Sequence, residues 1–177
     1  MHCSKKFFVL FIILSLFSFE AFSIGAGVQF SGIPAADINQ DGISVNNYQT
    51  KITGTFRLFR IPAALGLGLE VGSDFNQLVL GPSAFVDYYF TDIQIENNWN
   101  FYAGAGFDAK FMFSKDYDPF FSAGIRFIAG MDWVFFDNYL EYYVQTVASP
   151  SYVLYSSEDK GMFRFSIPIE NGVRLHF

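Results

Sequence analysis

From residue 24 onward, apolar and polar residues alternate with a period of two. In 163–177 one parity reads Phe163, Phe165, Ile167, Ile169, Asn171, Val173, Leu175, Phe177. The other reads Arg164, Ser166, Pro168, Glu170, Gly172, Arg174, His176. Successive strand side chains point to opposite faces, so this segment predicts a strand with one greasy and one polar face. The same two-faced pattern recurs in 24–31, 51–59, 64–72, 78–90, 99–113, 121–133 and 140–148. Eight strands are therefore expected. Beyond residue 23 no apolar run reaches 18 residues, which excludes a transmembrane helix from the reading.

Charge decides which face is inside. The apolar parity of the eight segments holds no charged residue. The polar parity holds Lys51, Arg57, Lys110, Arg126, Arg164 and Arg174 against Glu70, Asp87, Asp108, Asp132, Glu141 and Glu170. A soluble sandwich would turn the charged parity to water and fill its core with the apolar one. Three features favour the inverse. The polar parity is rich in Gly, Ser and Gln, as a narrow interior requires. Its charges balance, six against six, as mutual pairing inside requires. A charge on a lipid face costs about 2–4 kcal/mol near the midplane, which accounts for the clean apolar parity. The expected fold is all-β: an eight-stranded antiparallel up-and-down transmembrane β-barrel, residues 24–177. The expected turns after strands two, four and six (60–63, 91–98, 134–139) are short. The longest loops, 32–48 and 149–162, fall at the other end. Rings gather near both strand ends, Trp99 and Trp133 at one and Phe111 and Phe121 at the other, as in interfacial aromatic girdles.

Residues 1–23 read as a cleaved signal peptide. Lys5 and Lys6 precede the apolar run 7–19, and Ala21-Phe22-Ser23 offers small residues at a cleavage site. The run is too short to cross a bilayer as a helix. Cys3 precedes the run rather than following it, which argues against lipid attachment. Removal of 1–23 takes away the only cysteine and leaves an acidic chain. An acidic chain lacks the basic surface that nucleic acid demands.

The final residues Gly172-Val173-Arg174-Leu175-His176-Phe177 carry a resemblance. The chain resembles small outer-membrane β-barrels of the OmpA/OmpX/OmpW type, which end in an alternating strand with a terminal Phe. The resemblance implies that the barrel-assembly machinery reads Val173, Leu175 and Phe177; Asn171 departs from the apolar pattern. It also implies location in the cell outer membrane, with the lipid bilayer as the chief partner. No appended peptidoglycan-binding domain is expected.

Candidate chemistry is sparse. Asp37, Asn39 and Asp41 with Gly42 match the start of a calcium-binding loop, but position 12 is Tyr48, where a bidentate Glu is needed. Weak calcium binding and an ordinary Asx-rich turn both fit; no other cofactor is expected. The only histidine after residue 23 is His176, so no Ser-His-Asp grouping forms at the outer rim, and no enzyme is expected. Eight strands leave an interior just wide enough for side chains. The twelve inward charges, with Tyr89, Tyr102 and Tyr143, are expected to pair and plug it. That moves function to the loops, in a structural or surface-interaction role toward a surface ligand or host protein. The alternative is a narrow channel for small or hydrophobic molecules.

Overall fold

The computed structural model describes residues 24–39, 42–58, 61–74, 77–115, 118–156 and 161–177, without the side chains of 39 and 44–47. The expected signal segment and Asp41 lie outside the described residues. Within them the chain is all strand: β1 (Ile24–Asn39), β2 (Gly42–Leu58), β3 (Ala63–Asp74), β4 (Gln77–Glu96), β5 (Trp99–Ser114), β6 (Phe120–Phe135), β7 (Leu140–Tyr155), β8 (Met162–Ser166) and β9 (Ile169–His176).

From β1 to β7 each strand pairs antiparallel with the next in sequence, and β8 and β9 together pair with β7 on one side and β1 on the other. β8 and β9 are one strand interrupted at Ile167–Pro168, where proline has no N–H to give the ladder. Among the described residues the ring therefore has eight strands and no free edge. Closure matters because hydrocarbon offers no hydrogen-bond partner to a bare backbone group.

The register fixes the tilt. From Val28, paired residues run through Gly54, Leu67, Ala84, Ala109, Ala123, Tyr152 and Phe163 and return to β1 at Ile38, ten residues further along. Such a stagger goes with strands inclined about 35–45° to the axis. Ile24 and Phe177 meet at one end, joined by backbone hydrogen bonds in both directions, Ile24 N–H to Phe177 O and Phe177 N–H to Ile24 O.

The parity assignment holds around the ring. The apolar set faces outward: Leu67 is 68% exposed, Leu69 63% and Phe107 64%. The polar set faces inward, with Arg126 and Glu170 at 0%. At the end that carries the termini, Trp133 meets Trp99 edge-on at 4.7 Å and Tyr142 at a tilt at 5.7 Å, and Tyr139 meets Phe177 at 6.3 Å. At the other end Phe111 and Phe113 meet edge-on at 4.8 Å.

Strands run further than expected in three places, and each has a local reason. The expected loop 32–48 is mostly strand, because Pro34 and a register shift between Ala35 and Asp37 mask the alternation without ending the ladder. β4 continues to Glu96 through irregularities at Tyr89/Thr91 and Gln94/Glu96, which break the period of two. β7 passes through Pro150 and ends at Tyr155.

An inverted barrel predicts a position-specific penalty. Leu67→Arg, on the outward parity, is expected to lower stability in phospholipid vesicles by about 2–4 kcal/mol, measured by denaturant titration. A change within experimental error would mean that Leu67 does not face lipid.

Candidate functional site

The interior is built from the inward parity of all the strands. Ten of the twelve charges assigned to it are buried: Lys51, Arg57, Glu70, Asp87, Arg126, Asp132, Glu141, Arg164, Glu170 and Arg174. Asp108 and Lys110 are partly buried. The ring brings them together as three groups along the axis.

The group nearest the termini centres on Glu141 of β7. It accepts from Arg57 at 2.9 Å and Arg174 at 2.7 Å, and lies 2.8 Å from the His176 ring. Arg57 also reaches Asp132 and Asp92, both at 3.0 Å, and Asn100 donates to Asp132 at 2.6 Å. The middle group centres on Arg126 of β6. Its guanidinium spans Asp87 of β4 at 2.9 Å and Glu170 of β9 at 2.9 Å. Glu170 further accepts from Gln145 at 2.5 Å and sits 3.6 Å from the Lys51 ammonium. The third group holds two pairs: Lys110 with Glu70 at 2.6 Å, and Arg164 with Asp37 through two bonds of 2.5 and 3.0 Å. Beyond it Val79, Met112, Phe120 and Val153 form a buried apolar cluster.

Aromatic rings complete the packing. Arg174 lies 3.7 Å from the Tyr143 centroid, Arg126 4.4 Å from Phe85, and Arg57 between Tyr89 and Tyr102 at 5.2 and 5.6 Å. A ring face attracts a cation, more strongly where water is scarce. Tyr102 donates to Gln145 at 2.8 Å and Tyr143 to Gln29 at 2.9 Å. These rings find room because glycine stands opposite. Gly130 pairs with Tyr102 and Gly172 with Tyr143. A Cβ at either glycine would come within 2.6 Å of the facing phenol.

Two sequence expectations need correction. Asp37 does not lie in a loop. It lies on β1, 0% exposed, and its carboxylate is taken up by the in-register Arg164, because the strand continues past the apparent loop start. Asn39 ends the same strand, while its side chain and Asp41 lie outside the described residues. Among the described residues no group of three or more His, Cys, Asp or Glu side chains could hold a metal. The charge balance also shifts. Asp37 adds a seventh inward carboxylate, and Oδ1 of Asp108 is buried without a hydrogen-bond partner. Asp92, beyond the segment in which alternation was read, joins the network through Arg57, and His176, on the polar parity, joins it through Glu141. Both sit at strand ends, where only the partner strands reveal proximity. Val173 and Leu175 point outward, and Phe177 is exposed beside Tyr139.

No protein-family profile and no curated protein matches the sequence. Among solved structures, the chain is similar to neisserial surface protein A, with a TM-score of 0.52 at 13% identity, covering 86% of this chain and 97% of that one. It also aligns with the N-terminal β-barrel domain of Pseudomonas aeruginosa OprF (TM-score 0.40, 13% identity, 82% and 96% covered). A third alignment is with Yersinia pestis Ail (TM-score 0.44, 12% identity, 88% and 99% covered). At this identity the similarity to neisserial surface protein A shows the fold alone: a small eight-stranded antiparallel β-barrel.

Removing one member of a buried ion cluster leaves the others uncompensated. Arg126→Ala takes the guanidinium from Asp87, leaves Glu170 only Lys51 and its neutral donors, and is expected to cost about 3–5 kcal/mol in unfolding titrations. Lys51→Ala leaves Glu170 its Arg126 and Gln145 partners and is expected to cost less. Equal losses would show that the middle group does not turn on Arg126.

Proposed function

We propose that residues 24–177 form an exported, non-catalytic barrel of the cell outer membrane whose lumen is plugged by its own side chains. Its role is structural or lies in surface interaction. The observation that carries this reading is the pairing of nearly every inward charge across the ring, at the distances given above, inside a wall whose outer face is apolar. Arg57 and Arg126 each join strands that are not neighbours in the ring, Arg174 pairs with Glu141 of the adjoining strand, and Tyr89, Tyr102 and Tyr143 occupy the space between them. Eight strands enclose little more than such side chains fill. An axial path for water or ions would have to part buried ion pairs.

Export through residues 1–23 and reading of Val173, Leu175 and Phe177 by the barrel-assembly machinery belong to the same reading. The end with the termini then faces the periplasm. The opposite end, with Asp74 and Asp118 among its acidic residues, faces outward and presents the surface that meets a ligand or host protein. His176, the only histidine after residue 23, is engaged by Glu141 and offers no base at the outer rim, where lipid chemistry would need one.

Two measurements test this. In planar bilayers the pure protein is expected to give no stable unitary conductance; reproducible steps would instead favour the narrow channel. On intact cells, protease is expected to cut only at the connections 40–41, 75–76, 115–119 and 156–161. Cleavage at 97–98 or 136–138 would reverse the orientation.

A further inference from the structure

Three prolines notch one sector of the wall. Pro168 interrupts the last strand, and at that level both of its flanks are half-bonded. Val147 N–H donates to Pro168 O at 2.9 Å, and Ile167 N–H donates to Pro34 O at 3.1 Å. In an antiparallel ladder such pairs exchange two bonds. The returning bond is missing in both, because Pro168 and Pro34 have no N–H. One strand further, the β6–β7 register passes from Gly124–Ser151 to Phe127–Ala148 without a pairing at Pro150. The backbone is thus underbonded across three adjacent strands.

What holds the outer half of the last strand is compact and local. β8 contributes five residues. It pairs with Ala35–Ile38 of β1, where Asp37 faces Arg164 directly and binds it through two hydrogen bonds. Toward β7, Ser166 Oγ donates to Ser149 O at 3.3 Å and Ser151 Oγ to Arg164 O at 3.4 Å. Between the Glu170 level and the Arg164–Asp37 level, the inner wall beside the notch is uncharged and includes buried Ile33, Ala35 and Val147. Elsewhere the inward parity is dense with charge.

We propose that β8 is a lateral gate, hinged at Ile167–Pro168 and latched by the Arg164–Asp37 pair. When it opens, the interior between the Glu170 and Arg164–Asp37 levels meets the hydrocarbon of the bilayer through a side entrance with an uncharged floor and with Arg164 and Asp37 at its outer rim. The chemistry of that floor, Ile33, Ala35 and Val147, suits an apolar molecule. The gate is independent of the axial plug, since the Arg126 and Glu141 groups lie below it and keep their partners.

The test uses the whole barrel in lipid nanodiscs. Amide hydrogen exchange is expected to be at least tenfold faster in Phe163–Ser166 than in Phe120–Ser122, which lies equally close to a hairpin tip. Pro168→Ala is expected to remove most of that difference, and Asp37→Asn to enlarge it. Ala35 and Ser166 form a pair of the closer, non-hydrogen-bonded type, within disulfide reach. The double variant Ala35→Cys/Ser166→Cys, oxidised, is expected to slow β8 to the rate of the reference segment. With Ser166→Cys alone, a bilayer-soluble maleimide is expected to react faster than a charged, water-soluble one. Equal exchange in the two segments, or a difference untouched by Pro168→Ala, would overturn the hinge. Faster labelling by the charged reagent would overturn the side entrance.

Discussion

The ladder that closes β1 onto β8 and β9 is the constraint on which everything else depends. In hydrocarbon a bare N–H or C=O costs several kcal/mol, so a strand can sit in a bilayer only if both of its edges are bonded. Closing the sheet meets that demand and simultaneously sorts the side chains. With lipid outside, the apolar parity must face out, and every polar residue of the strands is driven into a space barely wider than the side chains themselves. The inversion of the usual protein interior follows from the backbone alone.

Charge inside such a space must then be matched. The arrangement does this with hubs rather than isolated pairs. Glu141 gathers Arg57, Arg174 and His176; Glu170 gathers Arg126, Lys51 and Gln145. Each hub adds to a neighbouring-strand partner at least one cation from a strand that is not its neighbour, Arg57 at Glu141 and Arg126 and Lys51 at Glu170, so the groups tie separate parts of the wall together. Aromatic faces take up the cations' remaining exposure, and glycines on the neighbouring strands make room for the rings. At the notched sector the same logic is relaxed: the backbone gives up bonds, and one side-chain pair with two serines stands in for them.

Most of this was legible in the sequence because period-two sorting is a local signal that survives without knowledge of contacts. Leu65, Leu67 and Leu69 against Gly66, Gly68 and Glu70 declare their faces on sight. What stayed hidden lay where alternation was interrupted. Pro34 and the register shift beside it made Asp37 look like a loop residue, when it is an interior carboxylate opposite Arg164. The irregularities in β4 concealed the approach of Asp92 to Arg57. Which cation meets which carboxylate was also unreadable, since that depends on the ten-residue stagger around the ring, a property of closure that no single strand encodes.

The last strand carries a consequence of its own. Glu170 and Arg174 sit two turns of the pleat apart on β9, and each completes a hub whose other members lie on earlier strands. Sliding β9 by two residues against β7 would keep every apolar side chain outside and every polar one inside, so greasiness cannot distinguish that arrangement from the native one. Such a slip would carry Glu170 away from Arg126, Arg174 away from Glu141, and Gly172 from beneath the Tyr143 ring. The interior charges therefore act as a proofreading device for the final docking event, accepting one alignment among those that hydrophobic sorting treats as equal.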